Sequence, residues 1–539
     1  MKVLLTALSA KNIHKTLAPW CLKAYCDLHV PDCEILIQEH TVNDHAADIV
    51  AEIFEERPDV VGFSCYIWNI EQVVKVAKML GQYLPNCLIV LGGPEVSFEA
   101  DCSAYPFAHA IVQGAGEVAF VNLLRGLVKG EISSGAVIPS CNHIAFEDLP
   151  SPYTSHYFQS FIEGRMVSIK NQLVYYESSR GCPFSCTYCL SSAACGVEEL
   201  PVKRVLSDLD RLLTHGATCI KFVDRTFNAN RERAREIFRH ILSYETDCVF
   251  HFEVAADLFT PELLQLISAM PPQRVQFEIG IQSTNEATLA GINRRMDVEQ
   301  ALSNIQTLIA FDNCHVHVDI IAGLPFETTD SFAKGIDACM NMRPHMLQLG
   351  FLKLLKGTEI RANNEMYGYA FNEFPPYEVF RSAHMSFEEL IKWKQVEEVL
   401  DKFYNSGLFA NAVNYAIDQV FQSAYQFFEE LSVFCKGKNL RVSLKNAYTL
   451  LFQFLCRHME ARVAEHYVKL DCFTFSSQGV LPDGIQIHRD KTAENDFRRN
   501  NPVYSNVRVE FFEYDKKTRA FIYDEKHPIK KSCKVMLLP

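Results

Sequence analysis

The chain has 539 residues, 48% of them hydrophobic and 22% charged, with a formal net charge of −13. This length exceeds what one core accommodates and predicts roughly three domains; the composition excludes long disordered segments, and the acidic balance argues against nucleic acid as a partner and leaves a small molecule as the expected one. The nineteen cysteines are scattered, no signal-peptide pattern opens the sequence and no apolar run reaches bilayer length, so a cytoplasmic protein with free thiols and no membrane span is expected.

In chain order, Lys2 to Ala7 reads as a buried strand and Thr16 to Leu28 as a helix with apolar positions at Leu17, Leu22 and Tyr25. The strand signal returns at Cys33 to Gln38, Val60 to Cys65, Cys87 to Leu91 and Ala108 to Gln113. Helices are predicted at Ala46 to Glu55, at Ile70 to Leu84 and from Glu117. This alternation predicts an α/β domain, a doubly wound parallel sheet that binds ligands at the carboxyl ends of its strands. Two glycine turns fall there, Gly92-Gly93-Pro94-Glu95 and Gly114-Ala115-Gly116-Glu117. Such turns let a ligand approach the backbone and the N–H groups of the next helix, or simply reverse the chain.

Behind an apolar run, Leu173 to Tyr176, comes Arg180-Gly181-Cys182-Pro183-Phe184-Ser185-Cys186-Thr187-Tyr188-Cys189, with cysteines spaced C-x3-C-x2-C. Three close thiolates suit a 4Fe-4S cluster and leave its fourth iron open to a ligand other than protein. The alternatives are a structural zinc knuckle with Cys195 as fourth ligand, or thiols that ligate nothing. Zinc sites more often use paired C-x2-C arms, and this loop has one.

A second α/β series follows, with strand-like runs at Leu173 to Ser178, Ala217 to Val223, Val249 to Val254, Val275 to Ile281, His315 to Ile321 and Met346 to Leu352. Between them lie helical segments at Val202 to Thr214, Arg231 to Ser243, Pro261 to Ala269, Val298 to Ala310 and Asp330 to Met342. Six repeats describe a partial (β/α)6 barrel whose site is expected at the carboxyl ends of its strands. Polar residues interrupt those ends at Asp224, Glu253, Gln282 and Ser283. Beyond Pro375-Pro376 the chain turns helix-rich, at Tyr377 to Phe403, Ala410 to Phe434 and Leu444 to His466. An extended polar stretch, Tyr467 to Ile487, and a strand-like tail, Val507 to Leu538, complete a mostly helical α+β region. Its aromatic stripes read as core.

The cysteine loop, with Tyr188 before its last cysteine, resembles the radical S-adenosylmethionine (SAM) superfamily. The turn Gly323-Leu324-Pro325 is similar to one that recurs in that superfamily; the two glycine turns and the linker Leu149-Pro150-Ser151-Pro152-Tyr153 resemble its cobalamin-dependent branch, and the C-terminal region resembles in size and place the uncharacterised extension of part of that branch. The resemblance covers Met1 to about Arg361 and implies domains at 1–140 (cobalamin-binding, Rossmann-like), 141–170 (linker), 171–370 (radical SAM core) and 371–539 (extension, substrate-related). It implies Cys182, Cys186 and Cys189 as cluster ligands. Ser64, Gly92, Gly93, Gly114, Gly116 and Glu117 would stand beside cobalamin, and Val223, Asp224, Glu253, Gln282 and Ser283 around SAM. Where many cobalamin proteins have D-x-H-x-x-G, this chain reads Asn12-Ile13-His14-Lys15-Thr16-Leu17, so His14 is either a cobalt ligand or a polar loop residue. The implied activity is methylation of an unactivated carbon of a small molecule, lipid or peptide, with an electron donor such as flavodoxin or ferredoxin. Radical cyclisation, rearrangement, methylthio transfer and a non-catalytic cobalamin module are the rival outcomes. Asp471 and Gly479 are loose candidates for substrate contact.

Overall fold

The computed structural model describes residues 1–99, 101–131, 135–140, 144–163, 168–193, 196–477 and 480–538. It forms two compact units: Met1–Ala255 with Ile292–Arg295 and Leu352–Val379, and Ala256–Gly291 with Met296–Phe351 and Phe380–Pro539.

The first unit opens with β1 (Lys2–Ser9), β2 (His14–Lys15), α1 (Ala18–His29), β3 (Glu34–Thr41), α2 (Ala46–Glu56), β4 (Val60–Ser64), α3 (Ile70–Tyr83) and β5 (Leu88–Gly92). The short α4 (Pro94–Ser97), β6 (Ala110–Val112), α5 (Gly116–Lys129) and β7 (Ala136–Ile138) follow. Six strands pair in parallel in the order β3-β1-β4-β5-β6-β7. β1 is buried from Val3 to Ser9, as a strand covered on both faces must be. Leu4, Val61, Phe63 and Ile89 form one core with Ile49 and Ile53 of α2 and Val73, Val76 and Leu80 of α3. The helices bury residues at helical spacing, which is why they cover a sheet. The sequence expected five strands. β7 is a short sixth, and β2 leaves this sheet altogether.

The unit continues with α6 (Ser155–Glu163), β8 (Leu173–Tyr176), β9 (Ser179–Gly181), β10 (Val197–Glu199), α7 (Val202–Thr214), β11 (Cys219–Phe222), α8 (Arg231–Ser243) and β12 (Val249–Val254). Here β2 pairs in parallel with β8, β8 with β11 and β11 with β12. The second unit carries the next repeats: α9 (Pro261–Ser268), β13 (Val275–Gln282), α10 (Glu286–Gly291), α11 (Val298–Ala310), β14 (His315–Ala322), α12 (Thr329–Asn341) and β15 (Met346–Phe351). Strands β13, β14 and β15 are parallel neighbours. All six expected barrel strands are present. In β13 burial alternates residue by residue, so Phe277, Ile279 and Ile281 pack on one face while Gln276, Glu278 and Gln282 share the other.

After α13 (Glu359–Ala362), β16 (Ala370–Phe371) and β17 (Val379–Arg381), the helices are α14 (Phe387–Leu400), α15 (Ala410–Gln419), α16 (Ala424–Cys435), α17 (Leu444–Leu455), α18 (Ala461–Phe475) and α19 (Lys491–Asn500). The antiparallel strands β18 (Val507–Phe512), β19 (Lys517–Lys526) and β20 (Cys533–Leu538) close the second unit. Local caps set two of the helix starts within the helix-rich stretches. In the stretch from Tyr377 the helix starts at Phe387, where Ser386 and Glu389 form a reciprocal cap. The run Ala410 to Phe434 breaks in two because the Ser423 side chain accepts from Gln426 N and begins a new helix. The run Leu444 to His466 also breaks, and its second half continues to Phe475. Asp471 is therefore not in an extended stretch but buried within α18, where it accepts from Asn411 N, Asn411 Nδ2 and Ala412 N at the start of α15. That geometry makes it a cap for a neighbouring helix rather than a substrate contact. Gly479 lies outside the described residues.

Candidate functional site

The cysteine loop leaves β9 at Gly181, whose φ is +89°. A Cβ there would stand 2.1 Å from the Gly196 carbonyl oxygen, because Gly181 pairs with Val197 across β9 and β10. Two segments distant in sequence, at Ile292–Asn293 and at Ile360, hold the loop. Thr187 N donates to Ile292 O and Ile360 N donates to Thr187 O, both at 3.0 Å, while Asn293 Nδ2 donates to Ser185 O at 3.1 Å and to Ser185 Oγ at 2.7 Å. Cys189 N donates to Cys186 O at 3.1 Å. Cys186 is buried, and Cys182 and Cys189 are partly exposed.

Burial pushes the Cys186 thiol up, and Arg294, whose Nη1 lies 3.7 Å from Cys186 Sγ, pulls it back down. A cation beside a sulfur favours thiolate, the form that binds metal. Tyr188 is half-buried, and desolvation pushes its phenol up. Cys182 Sγ lies 3.6 Å from Thr226 Oγ1. Among the described residues, no three His, Cys, Asp or Glu donors close on a single ion position. A 4Fe-4S cube takes each thiolate on a different iron, so its ligands stand apart by design, and the donor set of three thiols on one loop fits it. Cys195 lies outside the described residues.

Asp224 lies two residues past the end of β11 but does not stand open. It is 1% exposed and accepts from Ser178 N at 3.0 Å, Ser178 Oγ at 2.5 Å and Ser179 Oγ at 2.6 Å. Burial raises its pKa, against which these hydrogen bonds act. Arg233, also buried, donates to Ser178 O and Leu200 O. Together they fix the backbone that enters the cysteine loop. Val223 N donates to Tyr176 O at 2.9 Å and continues the strand contact. Glu253 lies 3.9 Å from Lys221 Nζ. In the second unit Gln282 ends β13 with φ +69°, and its buried Oε1 has no hydrogen-bond partner, which fits a polar ligand group. Ser283 instead donates to the fully buried Glu327, which also accepts from Ser331 Oγ. Arg294, Arg233 and Glu327 escaped the sequence reading because no local spacing announces them.

In the N-terminal sheet, β1 pairs with β3 on one side and β4 on the other, which places the switch in strand order at β1. Ser64 and Gly92 sit side by side at the carboxyl ends of β4 and β5. Gly93 has φ +108°, and a Cβ there would meet Cys65 O at 2.6 Å. The close approach Gly93 permits is thus to the neighbouring strand's backbone. Ser97 ties the two glycine turns: its Oγ donates to Gly93 O at 2.8 Å and accepts from Gly114 N at 3.1 Å. Gly116 opens α5 at the same edge. The Glu117 carboxylate turns away to Arg180 Nη2, 2.6 Å distant. His14 lies in β2 beside β8, with Nδ1 2.8 Å from the Tyr175 hydroxyl. Burial lowers its pKa, and its ring shares a hydrogen bond with the tyrosine hydroxyl.

A cysteine-loop α/β series preceded by a doubly wound sheet with glycine turns at its carboxyl edge defines a two-cofactor class, and the family models agree. Residues 3–124 match the B12 binding domain, 176–339 the radical SAM superfamily and 365–527 a protein of unknown function (DUF4080). The chain thus carries, in this order, a B12-binding domain, a radical SAM domain and a DUF4080 region.

Among characterised relatives it is 26% identical over 336 residues to the cobalamin-dependent radical SAM methyltransferase TokK of Streptomyces tokunonensis, covering 55% of this chain and 47% of the relative. It thus spans about half of that protein's length. Its fold is shared with the cobalamin-dependent SAM radical enzyme OxsB bound to aqua-cobalamin and SAM, at TM-score 0.60 and 14% identity over 96% of this chain and 82% of that one. It is shared also with the radical SAM methyltransferase TsrM of Kitasatospora setae with cobalamin and [4Fe-4S] cluster bound, at TM-score 0.54 and 16% identity over 69% of this chain and 78% of that one. Among the described residues no helix is long and apolar enough to cross a membrane.

Proposed function

We propose that this chain is a cobalamin-dependent radical SAM enzyme that methylates an unactivated carbon of a small molecule, lipid or peptide. When bound, the 4Fe-4S cluster with SAM supplies a 5′-deoxyadenosyl radical for hydrogen abstraction, and methylcobalamin supplies the methyl group; the hard chemistry belongs to these cofactors. The observation that carries the reading is the C-x3-C-x2-C loop, with Arg294 3.7 Å from its buried thiol, in one compact unit with the glycine-turn sheet. Cys182, Cys186 and Cys189 would hold the cluster. The carboxyl edge at Ser64, Gly92, Gly93, Gly114 and Gly116 would receive cobalamin, and Glu253 and Gln282 would offer polar contacts to SAM. Asp224, Ser283 and Glu327 keep the loops rigid, which matters because misplacing a reacting group by about 1 Å costs on the order of 100-fold in rate. Residues 1–140, 171–370 and 371–539 would act as cobalamin, radical and substrate-related domains, joined by a linker at 141–170. The protein would work in the reducing cytoplasm with flavodoxin or ferredoxin as electron donor.

The test is anaerobic reconstitution of the wild type and a Cys182→Ala, Cys186→Ala, Cys189→Ala variant. Absorption and EPR spectra would be read, then SAM cleavage under a chemical reductant. Loss of iron with cobalamin retained is expected in the variant, and 5′-deoxyadenosine from the wild type alone. A wild type that holds a cluster but no cobalamin refutes methyl transfer. One that holds both and never cleaves SAM refutes the enzyme.

A further inference from the structure

Both glycine turns of the N-terminal sheet end in a glutamate, and both carboxylates are spent inside the protein. Glu95 and Glu117 are each 6% exposed. Glu117 takes Arg180 Nη2 at 2.6 Å, and the same guanidinium donates Nε and Nη2 to Glu177, each at 3.0 Å. The Phe146 ring lies beneath it at 4.6 Å, and a cavity of about 30 Å³ lined by Leu17, Cys21 and Tyr153 adjoins it, room for little more than one water. Glu95 accepts from the Tyr377 hydroxyl and lies 3.1 Å from Lys356 Nζ. One turn further on, Glu99 lies 3.4 Å from Arg361, whose guanidinium sits 4.9 Å from the Tyr377 ring centroid.

One tie ends on the cysteine loop, and the other reaches it through α13. Arg180 is followed directly by Gly181 and Cys182. Lys356 precedes α13, whose Ile360 N donates to Thr187 O, inside the loop, at 3.0 Å. Two turns on one edge of one sheet thus grip one loop from two sides. Stability alone is a poor reason for this chemistry, because taking paired charges out of water costs several kcal/mol per ion and apolar packing of the same shape often does as well. What a bidentate guanidinium and a hydrogen-bonded carboxylate supply is fixed geometry.

We infer that Glu117–Arg180 and Glu95–Lys356–Tyr377 form a two-jawed clamp that sets the distance between the cobalamin edge of the sheet and the cluster loop. These are positioning residues, acting through the loop and turns they hold. The inference rests on the two-cofactor reading above.

The experiment uses the full chain carrying both cofactors, as wild type, Glu117→Gln, Glu95→Gln and the double variant. Both substitutions keep side-chain shape. Pulsed dipolar EPR between cob(II)alamin and the reduced cluster reads the separation directly, with iron and cobalamin content and the unfolding midpoint measured on the same samples. The expected result is one narrow distance in the wild type, a broadened distribution in each single variant, a wider one still in the double, and full cofactor content throughout. An unchanged distribution in the double variant overturns the clamp, whether or not its unfolding midpoint falls. A wild type that holds the cluster and no cobalamin overturns the clamp together with the reading beneath it.

Discussion

Gly181→Ala is the sharpest single test of how the cysteine loop is built. At φ +89° an L-residue is strained, by about 1–2 kcal/mol on the scale of left-handed backbone. The added Cβ would stand 2.1 Å from the Gly196 carbonyl oxygen. That atom is backbone, so relief requires β9 and β10 to separate, and overpacking of this kind costs about 1–3 kcal/mol. The sum, about 2–5 kcal/mol, falls on a pairing of only three residue pairs, Gly181, Arg180 and Ser179 with Val197, Glu198 and Glu199. The expected outcome is a folded protein whose loop no longer presents Cys182 in register, with iron and sulfide per chain clearly below wild type after reconstitution. Gly130→Ala is the control: its φ is +71° and nothing lies within 4 Å of the added carbon, so it isolates backbone strain, about 1–2 kcal/mol. The reasoning is refuted if Gly181→Ala binds iron as fully as wild type and unfolds in urea at the same midpoint as Gly130→Ala.

Arg294→Met removes the cation beside Cys186, so the cluster's reduction potential should move to more negative values, because reduced clusters are stabilised by nearby positive charge; a redox titration followed by EPR reads the shift, and an unmoved potential contradicts the placement. His14→Phe should leave the spectrum of bound cobalamin unchanged while costing about 1 kcal/mol for the lost hydrogen bond with Tyr175; a spectral change on substitution would make the imidazole a cobalt ligand after all. Burial pushes Asp471 up to about 7, so between pH 4 and 7 the folded state holds a proton that the unfolded state has released. Stability should therefore fall as pH rises through that window, by up to about 4 kcal/mol from this group. Asp471→Asn should flatten that slope in urea titrations run at several pH values, and an identical slope in both proteins would clear Asp471 of the effect.

The α/β half of the fold was legible because its signals are local. Apolar runs such as Val60 to Cys65 and Cys87 to Leu91, separated by a helix, leave few topologies, and the cysteine loop announces itself by spacing. The helical region resisted for the opposite reason. Ser423 and Ser386 begin helices inside apolar stretches that periodicity alone would join, and Asp471 answers the N-terminus of a helix sixty residues before it. The loop's partners are equally remote: Arg294 and Asn293 reach it from 108 residues away. A spacing rule sees neither.

The acids near the strand ends carry the more general lesson. A glutamate after a glycine turn, or an aspartate ending a barrel strand, reads in sequence as a group offered to a cofactor, since sequence places the backbone and leaves the side chain's direction open. Glu117 goes to Arg180, Asp224 to Ser178 and Ser179. Both are nearly inaccessible, and an anion buried without partners would be too costly to keep, so each had to find donors within the protein. The donors found are on the segment that leads into the cysteine loop. Neutral isosteres at these positions should therefore disturb where the cluster loop sits before they disturb what any ligand touches.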